Sequence, residues 1–205
     1  MASEFLLATR SPDKAREIRE ILQPVAHVEL CTLKDVGIMP SAAEDDVENF
    51  PTFLENALAK ARYFSRLTGR AVLADDSGLM VAALKGAPGV RTKRFAADHG
   101  SDRTDVDEAN NDLLLEKLRD VPASNRAARY VCAAACVFPD ERSLTAIGTC
   151  AGVIAFERKG TGGFGYDPLF LLPALRVTFA QLTAAQKHEH SHRARAFRAL
   201  AAHLK

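Results

Sequence analysis

The sequence predicts an α/β fold, in which short apolar strands alternate with amphipathic helices. Residues 71–74 form an apolar run typical of a short buried strand, and two aspartates follow it directly. Residues 128–138 are apolar at nearly every position, which is typical of a strand covered on both faces. Residues 53–64 and 113–118 place apolar side chains on one helical face, so helices accompany these strands.

The bulk composition is that of an ordinary globular protein. The chain has 205 residues, of which 47% are hydrophobic and 26% are charged. The net charge of +1 gives no electrostatic footprint for nucleic acid or for an anionic membrane surface. No apolar run has the length of a membrane helix, and the N-terminus lacks the pattern of a signal peptide. We therefore expect a single domain over residues 1–205, without nucleic-acid or membrane partners.

The cysteines favour a reducing compartment. There are four, at positions 31, 132, 136 and 150, and none forms a Cys-x-x-Cys pair. Cys132 and Cys136 lie in the apolar run over 128–138, where they are interpreted as small buried hydrophobic residues. This usage predicts a cytoplasmic protein.

The first strand is predicted over Glu4–Thr9, and a turn and a helix follow it. Ser11 is a good N-cap and Pro12 suits the first helical position, so the helix is expected over 11–22. The start of a helix offers backbone N–H groups and a positive dipole end to an anion. Lys14 is unfavourable there unless a phosphate binds. The alternative is a capped helix with a solvent-facing lysine.

A second strand is predicted over 27–32, and an acidic loop over 41–48 follows it. Thr52 and Glu55 form a capping box that opens a helix ending at Gly69. Lys60 lies opposite much of the apolar stripe of this helix, so we expect it to be exposed.

The strand over 71–74 is predicted to end at Asp75-Asp76-Ser77-Gly78. Ligands of α/β sheets bind at the carboxyl edge, where these carboxylates would lie. Neighbouring carboxylates repel each other, and magnesium would relieve that repulsion because it prefers oxygen ligands. Gly78 would allow a sharp turn. The alternative is a solvated turn.

The second half of the chain predicts a turn over 86–89, a helix over 105–119 and a strand over 143–156. A glycine-rich stretch over 160–168 then encloses Phe164 between two glycines. Such glycines allow a backbone to approach a ligand closely, and Phe164 could stack on a base. The alternative is a flexible hairpin loop whose aromatic residues cap the core.

The C-terminal stretch predicts a capping box over 183–186 and a last helix beyond it. Three histidines at alternate positions, 188, 190 and 192, form only a weak zinc pattern, because no cysteine or aspartate completes it nearby.

Together these stretches resemble the XTP/dITP diphosphatases, also called inosine triphosphate pyrophosphatases. Members of this family hydrolyse deaminated purine nucleoside triphosphates to the monophosphate and pyrophosphate. Each motif is weak alone, but their order and spacing are specific. The resemblance spans nearly the whole chain and rests on Leu7–Lys14, Thr52–Ala57, Ala74–Gly78, Gly86–Gly89, Thr161–Asp167 and Ser191–Arg193.

The resemblance implies a magnesium-dependent site. Asp76 matches a magnesium ligand that is also the catalytic proton acceptor, and Glu48 matches a second ligand. Asp75 is an additional candidate ligand, and Glu44 replaces Glu48 if the insertion-like residues 49–51 shift the register. The implied substrate contacts are Thr9, Arg10, Ser11, Pro12, Asp13, Lys14, Lys60, Ser77, Phe164, Gly165, Tyr166, Asp167, Lys187, His192 and Arg193.

The chain departs from the family pattern at two places. The family usually carries asparagine where Ser11 stands, which changes the predicted phosphate contact. After Gly89 it often carries tyrosine and serine, where this chain has Arg91 and Thr92.

The fold that the resemblance implies is a long mixed central sheet flanked by helices, with two lobes and the active site in the cleft between them. The family also implies a homodimer, a purine nucleoside triphosphate as substrate and Mg²⁺ as cofactor.

Two other functions remain open. A Maf-type pyrophosphatase, acting on pyrimidine or modified nucleotides, has a similar opening turn to residues 7–14. The stretches over 163–167 and 191–193 favour the purine family instead. A non-catalytic nucleotide-binding protein is the second alternative, and the intact Asp75-Asp76 pair argues against it.

Overall fold

The computed structural model of the protein describes residues 3–44 and 46–204; Asp45, in the acidic run, lies outside the described residues. Short strands and helices alternate along the chain, which confirms the predicted α/β class. The helices are α1 (Pro12–Leu22), α2 (Phe53–Thr68), α3 (Val106–Lys117), α4 (Ala184–His190) and α5 (His192–Ala201). The strands are β1 (Ser3–Leu7), β2 (Val28–Thr32), β3 (Val72–Val81), β4 (Ala127–Val137), β5 (Ser143–Ile154), β6 (Phe170–Leu172) and β7 (Val177–Thr178).

The strands form one seven-stranded sheet in the order β2, β1, β3, β4, β5, β6, β7. β1 pairs in parallel with β2 and β3, whereas β6 pairs in antiparallel fashion with β5 and β7. The predicted long mixed sheet is therefore confirmed. β6 and β7 were not predicted, because strands of three and two residues carry too little periodicity to detect.

The chain divides into two compact units. The first consists of Met1–Asp76, Cys132–Gly148 and His192–Lys205, and the second of Ser77–Val131 and Thr149–Ser191. Three of the four boundaries fall within β3, β4 and β5, and the fourth lies between α4 and α5. The two predicted lobes match these units, while the single domain over 1–205 and the cleft stay predictions.

The first unit is built in three layers because side chains alternate along its strands. Phe5, Leu7 and Leu73 pack with α1 and α5 on one face of the sheet. The intervening residues of β1 and β3 pack with α2 on the other face. β4 follows the same rule, which confirms that it is covered on both faces: Cys132, Ala134 and Cys136 face α1 and α5, and Ala133, Ala135 and Val137 face α2.

The second unit has its own core, in which β3 and α3 meet an aromatic cluster. Tyr130, Phe170 and Phe179 lie with ring centroids 4.6 to 5.8 Å apart. Leu114 of α3 and Leu118, directly after the helix, are fully buried against this core.

β3 differs from its prediction. The expectation that it ends at the two aspartates, with a turn at Gly78, is wrong, since the strand continues to Val81. The apolar residues Leu79–Val81 extend it into the second unit. β1 ends at Leu7, opposite Leu73, so the aspartates lie in β3 just beyond the carboxyl end of its parallel neighbour.

The helix boundaries follow the predicted caps. Ser11 and Thr52 accept hydrogen bonds from backbone N–H groups at the starts of α1 and α2, and α2 ends at Gly69. Thr183 forms the predicted capping box at α4. The C-terminal helical stretch is divided in two, because Ser191 has an extended backbone between α4 and α5. Within the described residues, no helix is long and apolar enough to cross a membrane.

Candidate active site

The opening turn of the first unit has the predicted geometry. The Oγ of Ser11 accepts a hydrogen bond from the backbone N–H of Lys14 at 3.3 Å, and Pro12 begins α1. The Oγ1 of Thr9 accepts from the backbone N–H of Ser11 at 3.2 Å. The positive end of the α1 dipole therefore lies at this turn, where a phosphate would be stabilised.

Lys14 faces the protein and not the solvent. Its Nζ lies 3.2 Å from Oδ2 of Asp75, and its side chain is only 19% exposed. This contact explains a cation in the first turn of a helix without a bound phosphate. The solvent-facing alternative for Lys14 is wrong.

Asp75 points to the face of the sheet that α1 and α5 cover. Besides Lys14, Nε of Arg193 on α5 lies 3.6 Å from the same Oδ2. Nη1 of Arg193 also donates to the buried carboxylate of Glu17 on α1. Burial disfavours the ionised form of Asp75, but the charges of Lys14 and Arg193 outweigh it and hold the pKa of Asp75 well below its usual range. Asp75 is thus a buried structural anion.

Asp76, one residue further along the strand, points to the α2 face. Its Oδ2 accepts a hydrogen bond from Nδ2 of Asn56 at 3.0 Å. Burial raises the pKa of Asp76, and the charges of Lys14 and Lys60 only partly offset that effect. A half-buried carboxylate with a raised pKa has the properties of a general base.

Lys60 lies on α2, one turn after Asn56. The expectation that it is exposed is wrong, because its side chain is only 13% exposed and forms an ion pair with Glu48. Burial alone would lower the pKa of Lys60, but the charges of Glu48 and Asp75 raise it. The helical stripe could not predict this burial, since the carboxylate that pairs with Lys60 lies outside the helix, in the segment before α2.

The carboxylates on the α2 face suit a magnesium ion. Asp76 and Glu48 lie close enough for the charge of Glu48 to raise the pKa of Asp76. Mg²⁺ commonly uses one or two protein carboxylates and takes its other ligands from water and substrate phosphates. Asp75 lies on the opposite face, and both carboxylate oxygens of Glu44 accept from Arg10, at 3.0 and 2.6 Å. Among residues 3–44 and 46–204, no group of three or more His, Cys, Asp or Glu side chains is placed to hold a metal.

Arg10 is occupied within the protein. Besides Glu44, its guanidinium donates to the backbone carbonyls of Ile38 and Met39 at 2.7 and 3.0 Å. Asp13 forms a surface ion pair with Arg16. The predicted substrate roles of Arg10 and Asp13 stay predictions, and the structure gives Arg10 a role in holding the 38–44 segment.

His192 and Arg193 lie in the first turn of α5. They are only 4% and 2% exposed, and Arg193 contacts two buried carboxylates. The prediction that Arg193 contacts a substrate base therefore competes with a structural role for the same guanidinium.

The glycine-rich loop of the second unit is folded around Asp167. The carboxylate Oδ2 accepts from the backbone N–H of Phe164 at 2.9 Å and from Nζ of Lys187 at 2.5 Å. Gly163 has a φ of 72°, and a Cβ at this position would collide with the Asp167 carboxylate. Glycine is therefore required here for the structure of the loop itself.

The predicted substrate residues of this loop divide by burial. Phe164 and Gly165 are half-buried, and Nζ of Lys187 lies 4.9 Å from the centroid of the Phe164 ring. Tyr166, Asp167 and Lys187 are buried. The Tyr166 hydroxyl donates to the carbonyl of Thr92 at 2.8 Å, and burial raises its pKa. Ser77, also in this unit, is buried in β3.

Several polar residues that support the site were missed from the sequence. Three of them are buried and one, Asp107, is exposed, and each contacts a predicted site residue. The detectable signal was a polar side chain within or beside an apolar helical stripe, as at Asn56 between Phe53 and Ala57. The residues missed in this way are Glu17, Asn56, Asp107 and Asn111.

Comparison with known proteins identifies relatives over the full chain. A protein of Exiguobacterium sibiricum named dITP/XTP pyrophosphatase is 46% identical over 201 residues, covering 98% of this chain and 96% of the relative. The Desulforamulus reducens protein of the same name is 43% identical, over 95% of this chain and 92% of the relative.

Solved structures are also similar to this chain over nearly its full length. A HAM1 protein from Coxiella burnetii superposes with a TM-score of 0.82 at 34% identity, covering 98% of both chains. The Staphylococcus aureus Ham1 protein gives 0.79 at 34% identity, covering 97% of this chain and 96% of its own. The model of the Ham1 family matches residues 5–203. The chain belongs to the Ham1 family.

Proposed function

We propose that the protein hydrolyses deaminated purine nucleoside triphosphates, namely ITP, dITP and XTP, to the monophosphate and pyrophosphate. Such an activity would remove these nucleotides from the nucleotide pool. The observation that carries the proposal is Asp76, a half-buried carboxylate held by Asn56 and influenced by the charges of Lys14 and Lys60. The relatives named dITP/XTP pyrophosphatase supply the substrate class.

In the proposed reaction, water attacks the α-phosphorus of the triphosphate, the bond from that phosphorus to the oxygen bridging to the β-phosphate breaks, and pyrophosphate leaves. Asp76 accepts a proton from the attacking water, as a positioned carboxylate can do. Asn56 orients the carboxylate through its hydrogen bond to Oδ2. Lys14 and Lys60 offset the negative charge of the phosphates, and the helix start at Ser11 offers backbone N–H groups to them.

We propose that Asp76 and Glu48 hold the magnesium ion. When bound, magnesium neutralises phosphate charge and lowers the pKa of a coordinated water. Lys60 pairs with Glu48 and thereby keeps that side chain beside Asp76. Asp75 is not included, because Lys14 and Arg193 already compensate its charge on the other face of the sheet.

Base selection is proposed to depend on the 6-position of the purine. Phe164 can stack on any purine, so stacking does not discriminate. A pocket of donors satisfies the 6-carbonyl of hypoxanthine or xanthine, whereas adenine would face those donors with its own amino group. Two unmet groups at about 1–3 kcal/mol each give roughly 30- to 10,000-fold discrimination. Guanine shares the carbonyl, so we expect GTP to be excluded less strongly than ATP.

The decisive assay measures pyrophosphate release from ITP, dITP, XTP, GTP, ATP and a set of pyrimidine nucleotides, with magnesium and with excess EDTA. We expect rapid release from the first three and loss of activity in EDTA. Preference for pyrimidine or modified nucleotides would support a Maf-type enzyme, and binding without turnover would support a non-catalytic protein. Equal kcat/KM for ITP and ATP, or full turnover in EDTA, would contradict the proposal.

We also propose a homodimer located in the cytoplasm. The family resemblance implies the dimer, and the four free thiols fit a reducing compartment. Sedimentation equilibrium of the purified protein tests the dimer directly.

A further inference from the structure

Helix α3 forms hydrogen bonds with both backbone polar groups of Gly165 in the glycine-rich loop. The N–H of Gly165 donates to Oδ2 of Asp107 at 2.7 Å, and its carbonyl accepts from Nδ2 of Asn111 at 2.9 Å. Asp107 and Asn111 are four positions apart on α3, so they share one face of the helix. Both polar backbone groups of one loop residue are thus bound by a single helix.

Asn111 uses both hydrogens of its side-chain amide as donors. It is 1% exposed, and its Nδ2 also donates to the backbone carbonyl of Asp107 at 2.9 Å. Its Oδ1 is buried and has no hydrogen-bond partner among the described residues. Rotating the amide would place Oδ1 against two carbonyl oxygens, so the observed orientation is the only favourable one. An unsatisfied buried acceptor costs free energy, and the hydrogen bonds that Asn111 donates must offset that cost.

These two hydrogen bonds fix the backbone conformation of Gly165, which would otherwise be flexible. Gly165 has a φ of 62°, in the left-handed region, and glycine is the residue with most conformational freedom. On its C-terminal side the loop is held by Tyr166, whose hydroxyl donates to Thr92. On its N-terminal side, Asp167 holds the backbone of Phe164. Asp107 and Asn111 supply the constraint at the residue between these two anchors.

We propose that Asp107 and Asn111 are positioning residues for base selection: they hold Gly165, and through it Phe164, in the geometry that distinguishes deaminated purines from adenine. This inference rests on the proposed function. Hydrogen-bond discrimination requires partners at fixed positions, because a loop that can adapt would accommodate either base. In the proposed function the loop meets the base and not the reacting phosphorus, so its order would contribute equally to binding of substrate and transition state.

The test measures kcat and KM for ITP and ATP in the Asn111→Ala and Asp107→Ala variants. We expect KM for ITP to rise about tenfold in each, with kcat for ITP retained within about twofold, because the loss is in uniform binding. The preference for ITP over ATP should fall in the same variants. Asp107→Asn keeps an acceptor for the Gly165 N–H and should restore much of the preference. Asp107 is exposed, so its variants remain folded even if Asn111→Ala does not.

Leu204→Ala is the stability control, because it opens a cavity in an apolar cluster of the first unit that contains no residue of the loop. It should lower the melting temperature while leaving KM and the ITP preference unchanged. An equal KM change in Leu204→Ala, or wild-type KM and preference in Asp107→Ala, would overturn the inference. If wild type itself shows no preference for ITP, the proposed function fails; if only the variants are unchanged, the positioning role alone fails.

Discussion

Asp75 and Asp76 are neighbours in the sequence but belong to different layers of the first unit. Alternation along β3 directs Asp75 toward α1 and α5, where Lys14 and Arg193 meet it, and directs Asp76 toward Asn56 on α2. One carboxylate is therefore neutralised inside the protein while the other keeps a raised pKa. The separation onto two faces, together with the positive charges of Lys14 and Arg193 beside Asp75, reduces the mutual repulsion expected from their adjacency.

Replacing Asp75 should mainly affect stability. Asp75→Asn removes the carboxylate that faces Lys14 and one of the two buried carboxylates that face Arg193, and breaking such a buried pair costs about 3–5 kcal/mol. Urea unfolding measures the free energy difference. Asp13→Asn, which breaks an exposed ion pair with Arg16, is the control and should cost at most about 1 kcal/mol. A cost for Asp75→Asn no larger than that control would contradict its structural role.

Tyr166 should make the protein sensitive to alkaline pH. Its folded pKa is raised by burial, so its contribution to stability is complete below the unfolded value of about 10 and is lost as pH rises above it. For one such group the loss approaches about 1.4 kcal/mol per pH unit. Tyr166→Phe should flatten the decline in the free energy of unfolding above about pH 10. Parallel pH profiles for wild type and variant would show that Tyr166 titrates normally.

At the scale of elements, α2 supports the proposed metal site through one residue, Asn56, that binds two segments of the chain. Asn56 binds Asp76 and also binds the backbone of Phe50, accepting from its N–H at 2.9 Å and donating to its carbonyl at 3.2 Å. Phe50 follows Glu48 by two residues in the same loop. One asparagine thus fixes both the strand carboxylate and the segment that carries Glu48.

Removing that support should weaken magnesium binding. Loss of a residue that orients a metal ligand typically costs about 10- to 100-fold in metal affinity or activity, and we expect Asn56→Ala to fall in this range. Calorimetry of Mg²⁺ binding and kcat/KM for ITP give separate measurements. Ser65→Ala, which removes a buried hydrogen bond elsewhere on α2, should change neither. Magnesium affinity equal to wild type in Asn56→Ala would exclude the proposed role.

Elements defined by neighbouring residues were predictable from the sequence, and those defined by distant contacts were not. Ser11, Thr52 and Thr183 cap helices through residues three positions away, so their motifs place the helix starts correctly. The length of β3 depends on pairing with distant strands, and its continuation past Gly78 was missed.

The same distinction applies to the candidate site. The residue types of the site are visible in the motifs, including Asp76 and Lys14. The partners that decide their roles are not, because Arg193 reaches Asp75 across 118 positions of sequence and Glu17 reaches Arg193 across 176. The burial of Lys60 was misjudged because its partner Glu48 lies outside the helical stripe from which the exposure was predicted.

At the scale of the whole molecule, the two compact units share continuous strands. Three of the four boundaries between the units fall within β3, β4 and β5, and neither unit consists of a single uninterrupted segment. Each unit has separate apolar clusters, which would permit independent melting if the connecting strands were weak.

We predict one cooperative unfolding transition for residues 1–205, because unfolding either unit would remove strands on which the other depends. Differential scanning calorimetry tests this through the ratio of calorimetric to van't Hoff enthalpy, which should be close to one. Two resolved transitions would instead show that the units are separate domains.

The central claim is that Asp76 is the general base of the reaction, whereas Asp75 and the rest of the first unit hold it in place. The most direct test is the rate of pyrophosphate release from dITP, at saturating magnesium, by wild type and by Asp76→Asn. The amide keeps the shape of the side chain but cannot accept the proton, so turnover should fall by about 100-fold or more while the melting temperature stays near that of wild type. Turnover within about threefold of wild type, equivalent to about 0.7 kcal/mol, would show that Asp76 is not the base.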